Sequence, residues 1–140
     1  MNRRTFLGAS AGTLLSLGLL TTSAFANGMV AYKPGLIAEH LAAGKTVFVD
    51  YAASWCGTCA RQERVISALR QANPGYDQNM VFIRVDWDDY SGHEVTTSRK
   101  IPRRSTLLVL KGDKELGRIV AGTSEAQIKA LMDQGLQAGS

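Results

Sequence analysis

The sequence contains few of the side chains that build disulfide scaffolds and metal centres. Its 140 residues include only two cysteines, Cys56 and Cys59, and two histidines, His40 and His93. Two cysteines are too few for a multi-disulfide scaffold or for a zinc site made of cysteines alone. A zinc site would need two further ligands, and neither histidine stands at a ligand spacing from the cysteines. The sequence therefore predicts no metal site.

Strong net charge is missing as well. The chain carries 16 Lys and Arg against 12 Asp and Glu, a formal charge of +4. Two of the positive charges, Arg3 and Arg4, precede an uncharged stretch over residues 5–32, and without them the formal charge is only +2. This balance is too weak to indicate the clustered basic face that phosphate binding requires, so we expect no nucleic-acid partner.

The first 26 residues have the pattern of a cleavable export signal. Arg3 and Arg4 form its positive start, and residues 6–20 are apolar but diluted by glycine, serine and threonine. Ala24 and Ala26 then place small residues at the two positions that a signal peptidase reads. We expect cleavage after Ala26. The alternative interpretation is a membrane anchor that is not cleaved.

The start of this signal resembles the twin-arginine pattern, in which two arginines are followed by any residue and then by Phe-Leu. Here residues 3–7 read Arg-Arg-Thr-Phe-Leu. The resemblance implies export of an already folded protein to the bacterial periplasm. A Sec signal with a chance pair of arginines is the alternative, and it leads to the same compartment.

Residues 27–140 predict a single α/β domain in which helices flank a central mixed sheet. The connections are short, and no repeat or linker divides the sequence. In chain order we predict a helix opened by Pro34 and closed by Gly44, a strand over 45–51, a helix over 56–72 stopped by 73–75, a strand over 80–85, a short helix within 89–100, strands over 106–110 and 115–121 joined by a hairpin turn, and a helix from Thr123 or Ser124.

The two cysteines lie where a strand passes into a helix, in the segment Trp55-Cys56-Gly57-Thr58-Cys59. A thiol at a helix N-terminus faces unpaired backbone N–H groups and the positive end of the helix dipole, which favour the reactive thiolate. Two intervening residues bring both sulfurs within disulfide range. The pair therefore predicts redox chemistry, with a structural disulfide, a metal or copper site and inert buried thiols as alternatives.

With these segments in view, the chain resembles the thioredoxin family over residues 34–137. The stretch 47–59 is similar to the active-site strand and turn of that family. The segment 106–112, followed by Gly117, Gly122 and the last helix, matches as well. The resemblance implies the thioredoxin fold and a thiol–disulfide oxidoreductase that needs no cofactor.

The family pattern also implies individual roles for four residues. Cys56 takes the position of the nucleophile and Cys59 that of the resolving thiol. Asp50, six positions before Cys56, matches a buried acid that accepts the proton of the resolving thiol. Trp55 matches a residue that covers the disulfide and shapes the contact surface, with core packing as the alternative.

Two departures from the family pattern affect the expected substrate site. Thr58 replaces the proline most typical between the cysteines, which restores a backbone N–H near the Cys56 sulfur and favours the thiolate. The family places a cis-proline before Thr106, whereas this chain has Ser105 there and Pro102 three residues earlier. We expect Ser105, with a trans bond, to hold the position. The residues expected to contact substrate are Trp55, Gly57, Thr58, Arg104, Ser105 and Thr106.

Three functions remain open at this stage. The first, which we favour, is a monomeric periplasmic reductase of protein disulfides that receives electrons from a membrane partner. The second is a thiol oxidase or isomerase, favoured by Thr58 and by the positive charge of Arg103 and Arg104 if they flank the disulfide. The third is a binding module without catalysis, or a copper carrier.

Overall fold

Five strands form one mixed sheet in the computed structural model, which describes residues 28–140. The predicted signal, residues 1–26, lies outside the described residues. The strands are β1 (Val30–Ala31), β2 (Thr46–Ala52), β3 (Met80–Asp86), β4 (Thr106–Lys111) and β5 (Lys114–Val120). Strands β1 and β2 run parallel to β3, while β4 runs antiparallel to both β2 and β5, in the order β1-β3-β2-β4-β5.

Helices cover both faces of this sheet, which confirms the predicted α/β fold. None of the helices within residues 28–140 has the length and apolar character needed to cross a bilayer. The helices are α1 (Leu36–Ala42), α2 (Gly57–Ala72), α3 (Gly75–Asn79), α4 (Trp87–Tyr90), α5 (Glu94–Thr97) and α6 (Glu125–Gly139).

The central strand β2 separates two apolar cores. All seven of its residues are buried, as its β-branched and aromatic sequence predicts. Because side chains alternate along a strand, Val47, Val49 and Tyr51 point to the face that carries α1 and α5. Phe48 points to the opposite face, where Ile66 of α2 is among its neighbours in the core. Asp50 and Ala52 share that second face, so β2 delivers them toward α2.

The structure corrects several predicted boundaries and adds two elements. The first helix begins at Leu36 rather than Pro34, after Gly35 in a left-handed conformation with φ 86°. A short edge strand at Val30–Ala31 was not predicted, because two residues carry no periodicity. The predicted stop at residues 73–75 is confirmed, since α2 ends at Ala72, but Pro74 is also the N-cap residue of a turn of helix that was not predicted, Gly75–Asn79.

Two helical turns, α4 and α5, replace the single short helix that we predicted within 89–100, and α4 begins two residues before that stretch, at Trp87. Asp86 caps α4 by accepting from the amides of Asp88 and Asp89. The imidazole of His93 caps α5 by accepting from the amide of Val95 at 3.2 Å. Side-chain caps at both starts explain why so polar a segment adopts helix.

The C-terminal hairpin and helix follow their local sequence signals. Gly112, with φ 57°, occupies the two-residue turn between β4 and β5, where a positive φ is needed. Ser124 caps α6 by accepting from the amide of Gln127 at 3.4 Å. The helix therefore begins one residue after its cap, at Glu125.

Candidate redox site

Cys56 and Cys59 form a disulfide at the N-terminus of α2. Cys56 is the N-cap residue, and its Sγ accepts a hydrogen bond from the amide of Cys59 at 3.2 Å. The Cys56 side chain is 5% exposed and Cys59 is 1% exposed. Cys56 is thus the cysteine closer to solvent and the one with a backbone donor aimed at its sulfur.

The donor to this sulfur differs from the one that the sequence suggested. We expected the amide restored by Thr58 to approach Cys56, but within the described part of the chain the hydrogen bond to Cys56 Sγ comes from Cys59. At a helix start the N-cap side chain accepts from the second or third following amide, and here the third has the suitable geometry. A proline at position 58 would have left this bond intact.

Ser105 lies directly against the disulfide. Its Oγ is 3.2 Å from Cys56 Sγ and 3.1 Å from Cys59 Sγ, and the residue is fully buried. Pro102 is exposed, so Ser105 and not Pro102 occupies the position beside the sulfurs. Residues 28–140 contain no cis peptide bond, which agrees with the trans bond expected before Ser105.

The backbone of Ser105 adopts a left-handed conformation with φ 61°, which is uncommon for a residue other than glycine. Hydrogen bonds on both sides hold it there. Its amide donates to Tyr51 O at 2.7 Å, and its carbonyl accepts from the amide of Ala121 at 2.8 Å and from Gln62 Nε2 at 3.0 Å.

Gln62 is a residue that the sequence analysis missed. It is fully buried in α2, three positions after Cys59, and its Nε2 also donates to Gly122 O at 2.9 Å. The amide side chain therefore joins α2 to the loop before β4 and to the turn after β5. A glutamine on the otherwise apolar face of the predicted helix was the available signal, because a buried amide requires hydrogen-bond partners.

Asp50 is completely buried on the face of β2 that meets α2. Neither carboxylate oxygen has a hydrogen-bond partner among the described residues. Burial raises the pKa of this carboxyl from 3.8 to about 7, against a smaller lowering by Arg84 and a small increase from Glu63. Arg84 is itself paired with Glu63 at 3.1 Å. The carboxyl can therefore gain or lose a proton near neutral pH.

An exposed aromatic and charged surface borders Cys56. Trp55 is 59% exposed, which excludes core packing as its role. Its Nε1 contacts the Asp88 carboxylate at 3.0 and 3.1 Å, and the Arg104 guanidinium lies 4.4 Å from the centre of its ring. Hydrogen bond and cation–π contact together fix the orientation of the indole.

The residues expected to contact substrate divide into two groups. Gly57 is exposed, like Trp55, and Thr58 and Arg104 are half-buried. Ser105 and Thr106 are fully buried, and the Thr106 hydroxyl donates to Arg103 O at 2.7 Å. These two side chains face the disulfide and the loop respectively, and their contact with substrate stays a prediction.

Within residues 28–140 no cluster of three or more His, Cys, Asp or Glu side chains has an arrangement that could hold a metal ion. The chemistry available at the site is that of the two sulfurs, the Ser105 hydroxyl and the Asp50 carboxyl. Two cysteines that open a helix beneath a mixed sheet are able to exchange electron pairs with other thiols by opening and closing their disulfide.

Comparison with known proteins assigns this architecture to a family. Residues 34–134 match the family model described as thioredoxin, and the chain belongs to the thioredoxin family. Among solved structures it resembles Trxlp from Edwardsiella tarda, with a TM-score of 0.64 and 27% identity over 74% of this chain and 98% of that one.

Curated relatives include thioredoxins of plants and fungi. Thioredoxin H2-1 of Oryza sativa subsp. japonica is 30% identical over 87 residues, which cover 62% of this chain and 59% of the relative. Thioredoxin-1 of Saccharomyces cerevisiae is 32% identical over 89 residues, which cover 64% of this chain and 80% of the relative. The chain thus spans less than two thirds of the length of the rice relative.

Proposed function

We propose that the protein is a periplasmic thiol–disulfide oxidoreductase that acts on the disulfides of other proteins. The observation that carries this proposal is the position of the cysteine pair. Both sulfurs lie at the N-terminus of α2, Cys56 is the more accessible, and Cys59 donates its amide to the Cys56 sulfur at 3.2 Å. The thioredoxin relatives support the same activity by resemblance.

In the reductase direction, the reaction begins with attack by the Cys56 thiolate on a substrate disulfide. A new S–S bond forms between Cys56 and one substrate sulfur, and the other substrate sulfur leaves as a thiolate. Cys59 then attacks the Cys56 sulfur, which forms the Cys56–Cys59 disulfide and releases the second substrate thiolate. Two electrons pass from the cysteine pair to the substrate.

The second attack requires Cys59 to lose its proton, and we assign the acceptor role to Asp50. The side chain lies on the α2 side of β2, the same face as Ala52, which packs with both cysteines. A pKa of about 7 matches a proton acceptor that works near neutral pH. Cys59 is 1% exposed, so solvent has little access to its sulfur, which favours a buried base as the acceptor.

Substrate contact is assigned to the exposed surface next to Cys56. Trp55 offers a large, fixed aromatic face, Gly57 leaves the approach open because a Cβ there would meet nothing within 4 Å, and Arg104 adds positive charge. Such a surface favours partner segments that carry acidic residues beside their disulfide.

The favoured direction of electron flow is reduction of substrate disulfides by a monomeric protein. In an oxidising compartment the Cys56–Cys59 disulfide then has to be reduced again after each cycle. We assign that step to a membrane protein that supplies electrons through its own thiols, because the reduced cysteine pair holds only the two electrons that one cycle consumes.

A second candidate, thiol oxidation or isomerisation, is favoured by the contacts to Cys56. Hydrogen-bond donors near the sulfur stabilise the thiolate and hence the reduced pair, which makes the disulfide a stronger oxidant. Equilibration with glutathione separates the two directions. A potential near that of reducing thioredoxins supports the first candidate, and one higher by tens of millivolts supports the second.

The activity itself is tested with a matched pair of cysteine variants and an insulin substrate. We expect Cys56→Ser to abolish reduction, because the attacking sulfur is lost. Cys59→Ser should stop after one attack and accumulate a mixed disulfide that a non-reducing gel resolves. Equal activity of the Cys56→Ser variant and the wild type would contradict the proposal.

Export is tested separately on the full chain. Replacing Arg3 and Arg4 by lysine keeps the positive charge but removes the arginine pair. We expect the precursor to remain in the cytoplasm, as seen by cell fractionation and immunoblotting. Unchanged export with these substitutions would indicate the Sec route, and a protein that stays with the membrane would indicate an uncleaved anchor.

A further inference from the structure

Ser105 makes contacts that the proposed reaction does not yet use. Its hydroxyl is the side-chain group nearest to both sulfurs, at 3.2 Å from Cys56 Sγ and 3.1 Å from Cys59 Sγ. A hydroxyl can donate one hydrogen bond and accept others at the same time. In the reduced protein the hydroxyl can therefore donate to a thiolate and accept from a neighbouring thiol.

The surroundings of the two sulfurs decide which of them accepts the hydrogen bond from the Ser105 hydroxyl. Cys56 Sγ already accepts from the Cys59 amide at 3.2 Å and lies at the N-terminus of α2. Both features favour negative charge on Cys56 over Cys59. The Ser105 hydroxyl would then donate to Cys56 and accept from the Cys59 thiol.

The position of the hydroxyl is fixed by the fold. Ser105 is held in its left-handed conformation by bonds to Tyr51 O and from the Ala121 amide, while Gln62 adds a third bond from inside α2. Residues kept in a sparsely populated conformation by several surrounding bonds often belong to functional sites. Gln62 and Cys59 belong to α2 and Cys56 is its N-cap, so the bond from Gln62 ties Ser105 to the element that carries both cysteines.

We propose that Ser105 is a catalytic residue whose hydroxyl donates a hydrogen bond to the Cys56 thiolate while accepting one from the Cys59 thiol, and that it thereby makes the disulfide more oxidising. This inference rests on the proposed function and deepens it. Hydrogen bonds to charged groups are stronger than those to neutral sulfur, so the hydroxyl favours the reduced pair over the disulfide.

The test uses two variants that lack the hydroxyl but differ in backbone strain. Ser105→Ala retains a Cβ at positive φ, whereas Ser105→Gly relieves that strain. The rate of alkylation of Cys56 is measured against pH in the reduced protein, and the thiol–disulfide equilibrium is measured against glutathione. We expect both variants to shift the midpoint of thiolate formation upward by about one pH unit.

Loss of the Ser105 hydroxyl should also change the equilibrium constant with glutathione about tenfold. This corresponds to a reduction potential lower by about 30 mV. Thr96→Val is the matched control, because its buried hydroxyl donates to Tyr90 O and is not a partner of either sulfur. It should leave both readouts unchanged. If the alanine and glycine variants keep the wild-type midpoint and potential, the proposal is wrong.

These readouts separate the two proposals. Both are measured on the protein's own cysteine pair and do not depend on any protein substrate. A wild type that fails to reduce insulin would contradict the reductase, and the titration would still decide the role of Ser105. Alanine keeps the Cβ at the same positive φ as serine, so a shift in only the glycine variant would assign the effect to backbone strain and overturn the hydrogen bond.

Discussion

Two buried polar residues on opposite faces of strand β2 differ in whether their side chains have hydrogen-bond partners. Tyr51 and Asp50 are neighbours in the chain and both are fully buried, but they point to opposite sides of the sheet. The Tyr51 hydroxyl donates to Val95 O at 2.6 Å, while both oxygens of Asp50 lack a partner among the described residues. One face is built for stability, and the other keeps an unpaired acid beside the layer that carries the cysteines.

The difference shows where the fold accepts a loss of stability. An ionised carboxylate without partners is expensive to bury, so the protein holds the proton of Asp50 up to a pKa of about 7. The Tyr51 phenol, with burial raising its pKa to about 12, stays neutral and simply ties β2 to α5. The unsatisfied group is thus the one with a chemical role under the proposed mechanism.

The largest expected effect comes from Asp50→Asn. In the wild type, the favourable contribution of the raised pKa is fully present below pH 3.8 and is lost as the pH rises to about 7. Each unit of pKa shift corresponds to about 1.36 kcal/mol. The ionised carboxylate of Asp50 therefore lowers the free energy of unfolding by on the order of 4 kcal/mol at alkaline pH. The variant should therefore be more stable than the wild type by that order above pH 7, and nearly equal to it below 3.8.

Urea unfolding of the oxidised protein across this range measures the difference. Asp113→Asn is a matched control, because it makes the same exchange at an exposed position in the hairpin turn. Parallel stability curves for the wild type and Asp50→Asn would show that Asp50 does not titrate near neutral pH. The comparison between the two faces would then fail, since Asp50 would be an ordinary buried polar group.

The second prediction concerns the two hydrogen bonds that Gln62 donates on the α2 face. Gln62→Met keeps the length of the side chain but removes the bonds to Ser105 O and Gly122 O. Ser105 O keeps the Ala121 amide as a donor, so the expected effect is the loss of two hydrogen bonds of about 1 kcal/mol each, which should lower the free energy of unfolding by about 2 kcal/mol. Gln71→Met is the control, because it makes the same change at an exposed position of the same helix.

Thermal or urea unfolding of both glutamine variants measures the effect. If the two lose equal stability, the cost belongs to the amino-acid exchange and not to the bonds of Gln62. A loss confined to Gln62→Met would show that the two bonds from its Nε2 stabilise the α2 face, in contrast to the unpartnered carboxyl of Asp50.

The sequence predicted the apolar frame of this molecule better than its polar contacts. The run Thr46–Ala52 and the cysteine spacing depend on local patterns, so β2, α2 and the position of the pair were predicted to within a residue or two. Ser105 was placed at the site only through its position before Thr106. Gln62 was missed because its partners lie 43 and 60 residues away along the chain, and no local pattern specifies such contacts.

The smallest expected effect tests the other face of β2. Tyr51→Phe removes the hydroxyl and leaves Val95 O without this donor, while the ring continues to fill the core. The loss of one buried hydrogen bond should cost about 1 kcal/mol. Because the phenol stays neutral up to a pKa of about 12, the cost should be the same at acidic and neutral pH.

Urea unfolding at the pH values used for Asp50→Asn makes the contrast direct, since the two altered residues are adjacent and equally buried. One variant should lose stability by a constant amount, and the other should gain stability only where the carboxylate ionises. A pH-dependent cost for Tyr51→Phe would mean that the two faces are coupled through β2. The proton on Asp50 would then affect the packing against α5 as well as the chemistry beside α2.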